Sequence, residues 1–325
     1  MQSFWHTLKK PFFVMAPMAD VTDVAFRALV AKCGAPDVFW TEFVSADGIY
    51  HTREIKKMTD TENPLMRDLH FTKSEHPIVA QLFTSQPEMM RYAAKLVADL
   101  GFDGVDINMG CPDRAIERQG CGSAMIKDPE RAAAIIRVAQ EASGLPVSVK
   151  TRVGYNKESL DEWLPALLAT NPAAITLHLR TRKQMSLVPA DWELMKKAVE
   201  IRNRVNPGVL LIGNGDVQNF DDARQKIEAS GCDGAMIGRG MFGNPWVFAG
   251  RKSEEVPLAE KLAALVELAH GFERITPPKS FAILKKHIKA FVTGFDGAAE
   301  LRTKLMEAES ANALEEVIAK HTRGE

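Results

Sequence analysis

The sequence is poor in cysteine, has no excess of either charge and contains no long apolar run. Its 325 residues include 4 cysteines, none in a Cys-x-x-Cys pair, which are too few and too scattered for a disulfide framework or a cysteine-based zinc site. The apolar runs are short and interrupted by charges, and residues 1–11 lack the apolar segment of a signal peptide. We therefore expect no membrane span, no export and a cytoplasmic location.

The charge balance excludes a protein that is basic over its whole surface. The chain has 41 Lys and Arg residues against 42 Asp and Glu residues, a net charge of −1. Binding of nucleic acid would therefore depend on a local basic patch. The 8 histidines are scattered without the spacing of metal ligands, so we also expect no metal site.

Short apolar runs alternate with helix-compatible segments, which is typical of repeated βα units around a parallel sheet. Eight such units that close on themselves form a (β/α)8 TIM barrel, an α/β fold. An open doubly wound sheet is the alternative, but its first strand would be followed by a glycine fingerprint, and here the sequence is Ala16-Pro17-Met18-Ala19. The eight predicted strands are residues 14–17, 38–41, 78–83, 104–108, 147–150, 174–178, 209–214 and 234–238.

The character of the sequence changes near residue 257, where strand-like runs stop. Amphipathic helices are predicted over residues 258–274, 280–291, 298–308 and 311–321. We therefore expect a barrel domain of residues 1–250 and a small helical domain of residues 251–325. The stretch from Lys279 to Lys304 has a local charge of +4; it is either a basic binding patch or an ordinary solvated helix face.

Polar residues at the ends of the predicted strands are candidates for an active site, because barrel active sites form at the C-terminal ends of the strands. Lys150 ends an apolar strand, where an unpaired ammonium would be costly, so we expect it to face an anionic ligand. Gln81 and His178 occupy similar positions, with a satisfied core residue as the alternative for each. Glycines follow strands seven and eight in Asn214-Gly215-Asp216 and Gly238-Arg239-Gly240, which predicts a phosphate site unless these are merely tight turns.

Cys111 lies in a Gly-Cys-Pro turn after strand four, where a thiol could act as an acid, a base or a nucleophile. Cys33, inside a predicted helix, and Cys232, just before strand eight, are interpreted as inert packing residues. Cys121 remains ambiguous.

Nine motifs spread over nearly the whole chain carry a family resemblance. They are APMA (16–19), TEFVSA (41–46), AQL (80–82), DINMGCP (106–112), GSAM (122–125), VKTR (149–152), HLRTR (178–182), NGD (214–216) and IGRG (237–240). In this order they resemble the tRNA-dihydrouridine synthases, flavin enzymes that reduce uridine in tRNA.

The resemblance implies an FMN cofactor reduced by NADPH or NADH. Hydride would pass to C6 of uracil while Cys111, as a protonated thiol, donates a proton to C5. The residues implied to bind FMN fall into three groups: Pro17, Met18 and Ala19 along the ring; Gln81, Lys150 and His178 at its edge; and Asn214, Gly215, Asp216, Gly238 and Arg239 at the phosphate.

The resemblance also implies a tRNA substrate, gripped by the helical domain of a monomeric protein. Residues expected to contact the RNA are Glu42, Asn108, Arg114, Arg180, Arg182, Lys285, Lys286 and Arg302. Many relatives have Tyr and Gly where this chain has Ser186 and Val188, which leaves the subfamily and the target uridine open. A flavin barrel resembling ene-reductases or dihydroorotate dehydrogenase, acting on a small molecule, and a non-catalytic RNA-binding protein are the alternatives.

Overall fold

The computed structural model describes residues 3–323 of the chain. Within them, parallel strands form one sheet, and each strand from β4 onward follows a helix or a helical turn. The strands are β1 (Phe12–Met15), β2 (Phe39–Trp40), β3 (Val44–Ser45), β4 (Ile78–Phe83), β5 (Gly104–Met109), β6 (Val147–Arg152), β7 (Ala174–His178), β8 (Leu210–Asn214) and β9 (Gly234–Ile237).

The sheet closes into a barrel of eight positions. Its order is β1-β9-β8-β7-β6-β5-β4-β2, and β3 also pairs with β4. Because β2 and β3 pair with opposite ends of the same strand, they are two pieces of one barrel position. Val14 in β1 forms a parallel bridge with Val38, next to β2, and this contact closes the ring. The predicted (β/α)8 barrel is therefore confirmed.

Helices surround the barrel and continue beyond its last strand. The first nine are α1 (Val24–Gly34), α2 (Ala46–Tyr50), α3 (Pro64–Arg67), α4 (Pro87–Asp99), α5 (Arg114–Glu117), α6 (Pro129–Ser143), α7 (Leu160–Leu168), α8 (Glu193–Val205) and α9 (Phe220–Ser230). The C-terminal four are α10 (Leu258–Glu273), α11 (Lys285–Phe291), α12 (Ala298–Glu307) and α13 (Ala311–Arg323). None of the helices in the described part of the chain is both long and apolar enough to cross a membrane.

Local sequence accounts for several helix ends. The Asp23 carboxylate accepts a hydrogen bond from the Phe26 N–H at the start of α1, and Asp128 precedes Pro129 at the start of α6. Gly144 and Gly231 end α6 and α9 in the left-handed conformation. The next strands, β6 and β9, begin three residues after these two glycines.

Two large apolar clusters hold the molecule together, beside a small one of Phe83, Ile116 and Cys121. One fills the barrel and includes Trp5, Phe12 and Trp40. The other lies between strands and helices and continues into the C-terminal helices, where Leu268 and Leu305 belong to it. The barrel and the C-terminal helices therefore share continuous packing.

Two predicted elements differ from the structure. The strand predicted at 38–41 is interrupted, because the Gln81 N–H donates to the Thr41 hydroxyl at 3.1 Å instead of to a main-chain carbonyl. The helix predicted at 280–291 is divided into a 3₁₀ turn (Phe281–Ile283) and α11. The other three C-terminal helices lie within two residues of their predicted bounds.

Candidate active site

A cavity of about 270 Å³ opens at the C-terminal ends of the barrel strands. We call it the mouth cavity; its wall contains nine of the eleven residues that the sequence predicts to bind a cofactor. Of the other two, Ala19 is exposed just beyond Met18, and Gln81 is buried below the cavity. The lining residues are Ala16, Pro17, Met18, Lys150, His178, Arg180, Ser186, Asn214, Gly215, Asp216, Val217, Gly238 and Arg239.

Lys150 is the cation in the cavity floor. Its ammonium donates to Asn214 Oδ1 at 3.2 Å, and the Asn214 amide is fixed by a 2.9 Å hydrogen bond to the Met236 carbonyl. Among the ion pairs of the described residues, none involves Lys150. Desolvation, reinforced by the charge of Arg152, lowers the pKa of Lys150 to about 8. An anionic ligand would relieve this desolvation cost.

His178 is a neutral imidazole of defined tautomer. Its Nε2 lies 3.1 Å from Arg180 Nη1, and because a guanidinium can only donate, Nε2 is the acceptor and Nδ1 carries the proton. Desolvation together with the nearby cations, above all Lys150, holds the pKa of His178 far below its usual range. The ring therefore offers an N–H donor and no charge at neutral pH.

Asp216 organises two arginines at the cavity edge. Its carboxylate is paired with Arg180 and with Arg239, and it accepts the Ala190 N–H at 2.8 Å. The hydrogen bond from Arg180 lowers the pKa of Asp216, so the carboxylate stays charged. A charged carboxylate has no proton to donate to a phosphate oxygen, so Asp216 orients the arginines instead of binding the phosphate. Arg239 keeps 69% of its side chain exposed and has donors available for an anion.

Glycines keep the backbone close to the cavity beside these arginines. Gly215 has φ +124°, and a Cβ there would lie 2.7 Å from Ala190 Cβ. A Cβ at Gly238 would lie 3.4 Å from Ala16 Cβ and 3.7 Å from the Met18 sulfur, and would narrow the cavity. Glycine loops beside a guanidinium suit a phosphate group.

Cys111 lies in a fixed turn, Gly110-Cys111-Pro112, which follows β5 next to the cavity. Asn108 Oδ1 accepts the Cys111 N–H at 2.9 Å, and the Cys111 carbonyl accepts both the N–H and the hydroxyl of Ser123 at 2.9 Å. Asn108 is the β-ladder partner of Lys150, which brings the turn beside the cavity floor. Burial raises the pKa of the Cys111 thiol, so it is protonated at neutral pH.

Comparison with known proteins identifies the family of this chain. A family model described as dihydrouridine synthase matches residues 14–323. The chain belongs to the dihydrouridine synthase family. It is 39% identical over 312 residues to the "Probable tRNA-dihydrouridine synthase" of Staphylococcus aureus strain Mu50, covering 95% of this chain and 92% of that protein. It is 40% identical over 315 residues to the "Probable tRNA-dihydrouridine synthase 2" of Bacillus subtilis strain 168, covering 96% and 94%.

Solved structures of similar fold are more distant in sequence. A 2-naphthoyl-CoA reductase complex matches with a TM-score of 0.55 and 8% identity over 73% of this chain and 49% of that one. Histamine dehydrogenase from Rhizobium sp. 4-9 matches with a TM-score of 0.55 and 13% identity over 84% and 50%. These likenesses support the barrel fold alone. The resemblance to dihydrouridine synthases, and with it the prediction of an oxidoreductase, is confirmed by the family match.

Two residues that shape this dihydrouridine synthase site are not predicted from the sequence. Arg152 is buried, donates to the Gly110 carbonyl at 2.7 Å and also bonds the carbonyls of Thr181 and Met185, so it joins the Cys111 turn to the loop after β7. Glu117 pairs with Arg182 and lies 2.9 Å from the Ser123 hydroxyl, whose single proton it shares with the Cys111 carbonyl. Arg152 has a sequence signal, because it lies two residues after Lys150 and so faces the same side of β6.

The residues predicted to contact RNA occupy different environments. Arg180 lies in the cavity wall, and Arg182 is paired with Glu117. Glu42 is buried in an ion pair with Lys279 at 2.6 Å. On the barrel, Asn108 is buried and Arg114 is exposed at the start of α5. In the C-terminal region, Lys285 is half-buried, and the Lys286 ammonium lies 3.2 Å from the Asp20 carboxylate. Arg302 donates to the Val292 carbonyl at 2.9 Å.

Lys279 corrects one part of the sequence interpretation. It belongs to the basic stretch Lys279–Lys304, but its side chain is only 4% exposed and pairs with Glu42 and Asp68 of the barrel. It is therefore unavailable to an RNA phosphate. The remaining basic side chains of the stretch are half-buried or exposed.

Proposed function

We propose that this protein reduces the C5=C6 bond of uridine to 5,6-dihydrouridine in the D-loop of tRNA, with FMN as cofactor and NADPH as reductant. The observation that carries the proposal is an ammonium in the cavity floor without an acidic partner, Lys150, next to a protonated thiol on a fixed turn. The names of the relatives support tRNA as the substrate class.

The residues around the mouth cavity support FMN as the cofactor. Arg239 and the Gly215 and Gly238 backbone would hold the phosphate, with Asn214 and Asp216 orienting the groups around it. Pro17, Met18 and Ala19 would lie along the apolar ring, and His178 would donate to the cofactor through Nδ1. A bound flavin supplies the two-electron chemistry between NADPH and uracil. Lys150 would stabilise the negative charge that the ring gains on reduction.

Cys111 would provide the proton that completes the reduction at C5. A thiol serves as an acid only while it is protonated, and burial keeps Cys111 in that form. The turn that carries the thiol is held by the Cys111 N–H, which donates to Asn108, and by Ser123, which donates to the Cys111 carbonyl. The target uridine would leave its stack to reach the cavity, and Asn108 would help to hold the extruded base.

The helical region, residues 251–325, would form the RNA-binding part beside a catalytic barrel of residues 1–250. Lys285, Lys286 and Arg302 would contact tRNA phosphates there, with Arg114 and Arg182 on the barrel side. Since the chain has a net charge of −1, such contacts would be confined to a local patch, and selectivity would come from RNA shape. We propose that the protein acts as a monomer.

Mapping dihydrouridine by position tests the reaction. tRNA from a strain without this gene should lack dihydrouridine at one or more positions, and the purified protein with FMN and NADPH should restore it. If no position changes and the protein also fails on unmodified tRNA, the proposal is wrong. Reduction of a free enone or pyrimidine without any need for RNA would favour a small-molecule reductase instead.

Replacing the thiol tests the proton donor. In Cys111→Ala we expect bound FMN and its reduction by NADPH to be retained, and reoxidation by tRNA to slow about 10²- to 10⁴-fold, the usual contribution of a general acid. Stopped-flow measurement of the two half-reactions separates these steps. Cys33→Ala, which removes a thiol in α1, is the matched control and should behave as wild type. Loss of FMN from Cys111→Ala would show that Cys111 has another role.

A further inference from the structure

A chain of hydrogen bonds runs from the barrel interior to the Cys111 turn. Asp106 Oδ2 accepts Gln81 Nε2 at 2.6 Å, and Gln81 Oε1 accepts Asn108 Nδ2 at 3.1 Å. Asn108 Oδ1 in turn accepts the N–H groups of Gly110 and Cys111, at 3.1 and 2.9 Å. Asp106, Gln81 and Asn108 are all buried, so water cannot readily replace any of these partners.

The direction of every bond in this chain is set at Asp106. A carboxylate only accepts, so the Gln81 amide must turn its NH₂ toward Asp106 and its oxygen toward Asn108. The Asn108 amide must then turn its NH₂ toward Gln81 and its oxygen toward the turn. A reversed Asn108 amide would face the Cys111 N–H with a second donor, and the turn would lose its anchor.

Asp106 is held in its accepting role by its surroundings. Its other oxygen accepts the Ser148 hydroxyl at 2.6 Å. Burial raises the pKa of Asp106 to about 6, and the hydrogen bonds from Ser148 and Gln81 together with the charge of Lys150 oppose that rise. The group is therefore charged at neutral pH despite being fully buried.

We infer that Asp106 and Gln81 are positioning residues, which orient Asn108 and thereby fix the Cys111 turn through a polarised chain of hydrogen bonds. Both ends of the buried Gln81 amide are occupied by Asp106 and Asn108. For the reaction itself the inference rests on the proposed function, because it assigns Asp106 and Gln81 to the proton-donating step. The placement of the thiol can be measured independently of that reaction.

Exchanging the two polar groups tests the direction of the chain. Gln81→Glu puts a second carboxyl group against Asp106. At low pH the pair shares a proton, which can take the place of the Gln81 NH₂; at high pH that proton is lost and two acceptors face each other. In the double variant Asp106→Asn with Gln81→Glu, the introduced asparagine amide donates to the introduced carboxylate. That carboxylate also accepts from the Asn108 amide, and Ser148 donates to the oxygen of the new asparagine. The number of charges equals that of wild type, and the direction of the chain is restored.

The first readout is alkylation of Cys111 by iodoacetamide in flavin-free protein, followed over pH by mass spectrometry of the Cys111 peptide. The second is the pair of half-reactions with FMN bound. For Gln81→Glu we expect, on the high-pH side where the pair has lost its shared proton, a Cys111 alkylation rate that differs at least fivefold from wild type at the same pH and reoxidation by tRNA at least tenfold slower. Reoxidation is compared with the NADPH half-reaction of the same variant, because the family resemblance also places Gln81 at the edge of the flavin. The double variant should return to within about threefold of wild type in both readouts.

Two results would overturn the inference: wild-type behaviour of Gln81→Glu over the whole pH range, including the high-pH side, or a folded double variant as impaired as the single one. If Gln81→Glu fails to fold, Gln81→Met is the substitute, because it removes the hydrogen-bond partner of Asn108 without placing a second carboxylate against Asp106. Unchanged alkylation of Cys111 and unchanged reoxidation by tRNA in Gln81→Met would refute the proposed series of hydrogen bonds. If alkylation responds as expected while wild type does not act on tRNA, the positioning role stands and the proposed function fails.

Discussion

A single lysine carries the main electrostatic feature of the mouth cavity. Lys150 is half-buried and has an amide oxygen but no carboxylate within hydrogen-bond distance. Its pKa of about 8 lies below the ordinary value of 10.5, so the unliganded protein begins to lose this charge just above neutral pH. A ligand that carries or develops negative charge beside Lys150 favours the protonated form. Ligand affinity and pH are therefore linked through this residue.

The linkage predicts how FMN affinity changes with pH. Above pH 8 binding must take up a proton at Lys150, so wild-type affinity should fall about tenfold between pH 7 and pH 9. Lys150→Met should bind FMN more weakly at pH 7 and show little further change, whereas Lys183→Met, which alters an exposed lysine, should follow wild type. Fluorescence titration of FMN at several pH values measures this. An equal slope in Lys150→Met would assign the dependence to another group.

The sequence predicts single residues well where a polar group ends an apolar strand. This signal identifies Lys150 and His178, and both line the cavity. Gln81 gives the same signal, but its partners, Asp106 and Asn108, come from a neighbouring strand, and a pattern along one strand does not reveal which cross-strand group satisfies the amide. Arg180 is expected at the rim, and its burial depends on Asp216, which lies 36 residues away in sequence.

At the scale of elements, the turn after β5 is shaped by the segment that packs against it. Gly122 has φ +60°, and a Cβ there would lie 2.6 Å from the Cys111 carbonyl. That carbonyl accepts the Ser123 N–H and shares the Ser123 hydroxyl proton with Glu117, so the two segments are locked together. The GSAM motif (122–125) thus has a structural reason in the close approach of two backbones.

Substituting this glycine tests the packing of the turn. Gly122→Ala adds a backbone clash to the strain of a positive φ, and we expect a loss of about 2–4 kcal/mol in unfolding free energy and slower reoxidation by tRNA. Gly144→Ala is the matched control, since Gly144 has φ +65° and nothing within 4 Å of an added methyl group, so strain alone should cost about 1 kcal/mol. Urea denaturation and stopped-flow kinetics measure the two effects. Equal losses in both variants would mean that the turn tolerates the added carbon.

The order of the elements is predictable, because apolar runs of 4 to 6 residues, such as those that form β4 and β7, alternate with segments of helical periodicity, such as the one that forms α9. The irregular second barrel position is not, because it arises where the Thr41 hydroxyl takes a ladder hydrogen bond from Gln81. The division of the helix predicted at 280–291 also has no clear signal in its apolar spacing. Such departures depend on contacts between elements, which periodicity does not encode.

For the whole molecule, the decisive connection is between the C-terminal region and the barrel mouth. Lys279, between α10 and α11, pairs with Glu42 at 2.6 Å and Asp68 at 3.4 Å. The other Glu42 oxygen accepts the Asp20 N–H, two residues beyond Met18 of the cavity wall. Lys279, which belongs to the basic stretch considered for RNA binding, thus joins the helical region to the turn beside the cavity.

Removing this lysine should loosen both parts together. Lys279→Ala leaves Glu42 buried without its cation, so we expect about 3–5 kcal/mol less unfolding free energy and weaker FMN binding, because the Asp20 turn loses its support. Lys286→Ala breaks an exposed 3.2 Å pair with Asp20 and should cost less than about 1 kcal/mol. Urea denaturation and FMN titration on both variants distinguish the two lysines. If Lys279→Ala is as stable as Lys286→Ala, the buried pair does not hold the helical region to the barrel; if stability falls while FMN affinity stays unchanged, the pair fastens the two parts without supporting the cavity wall.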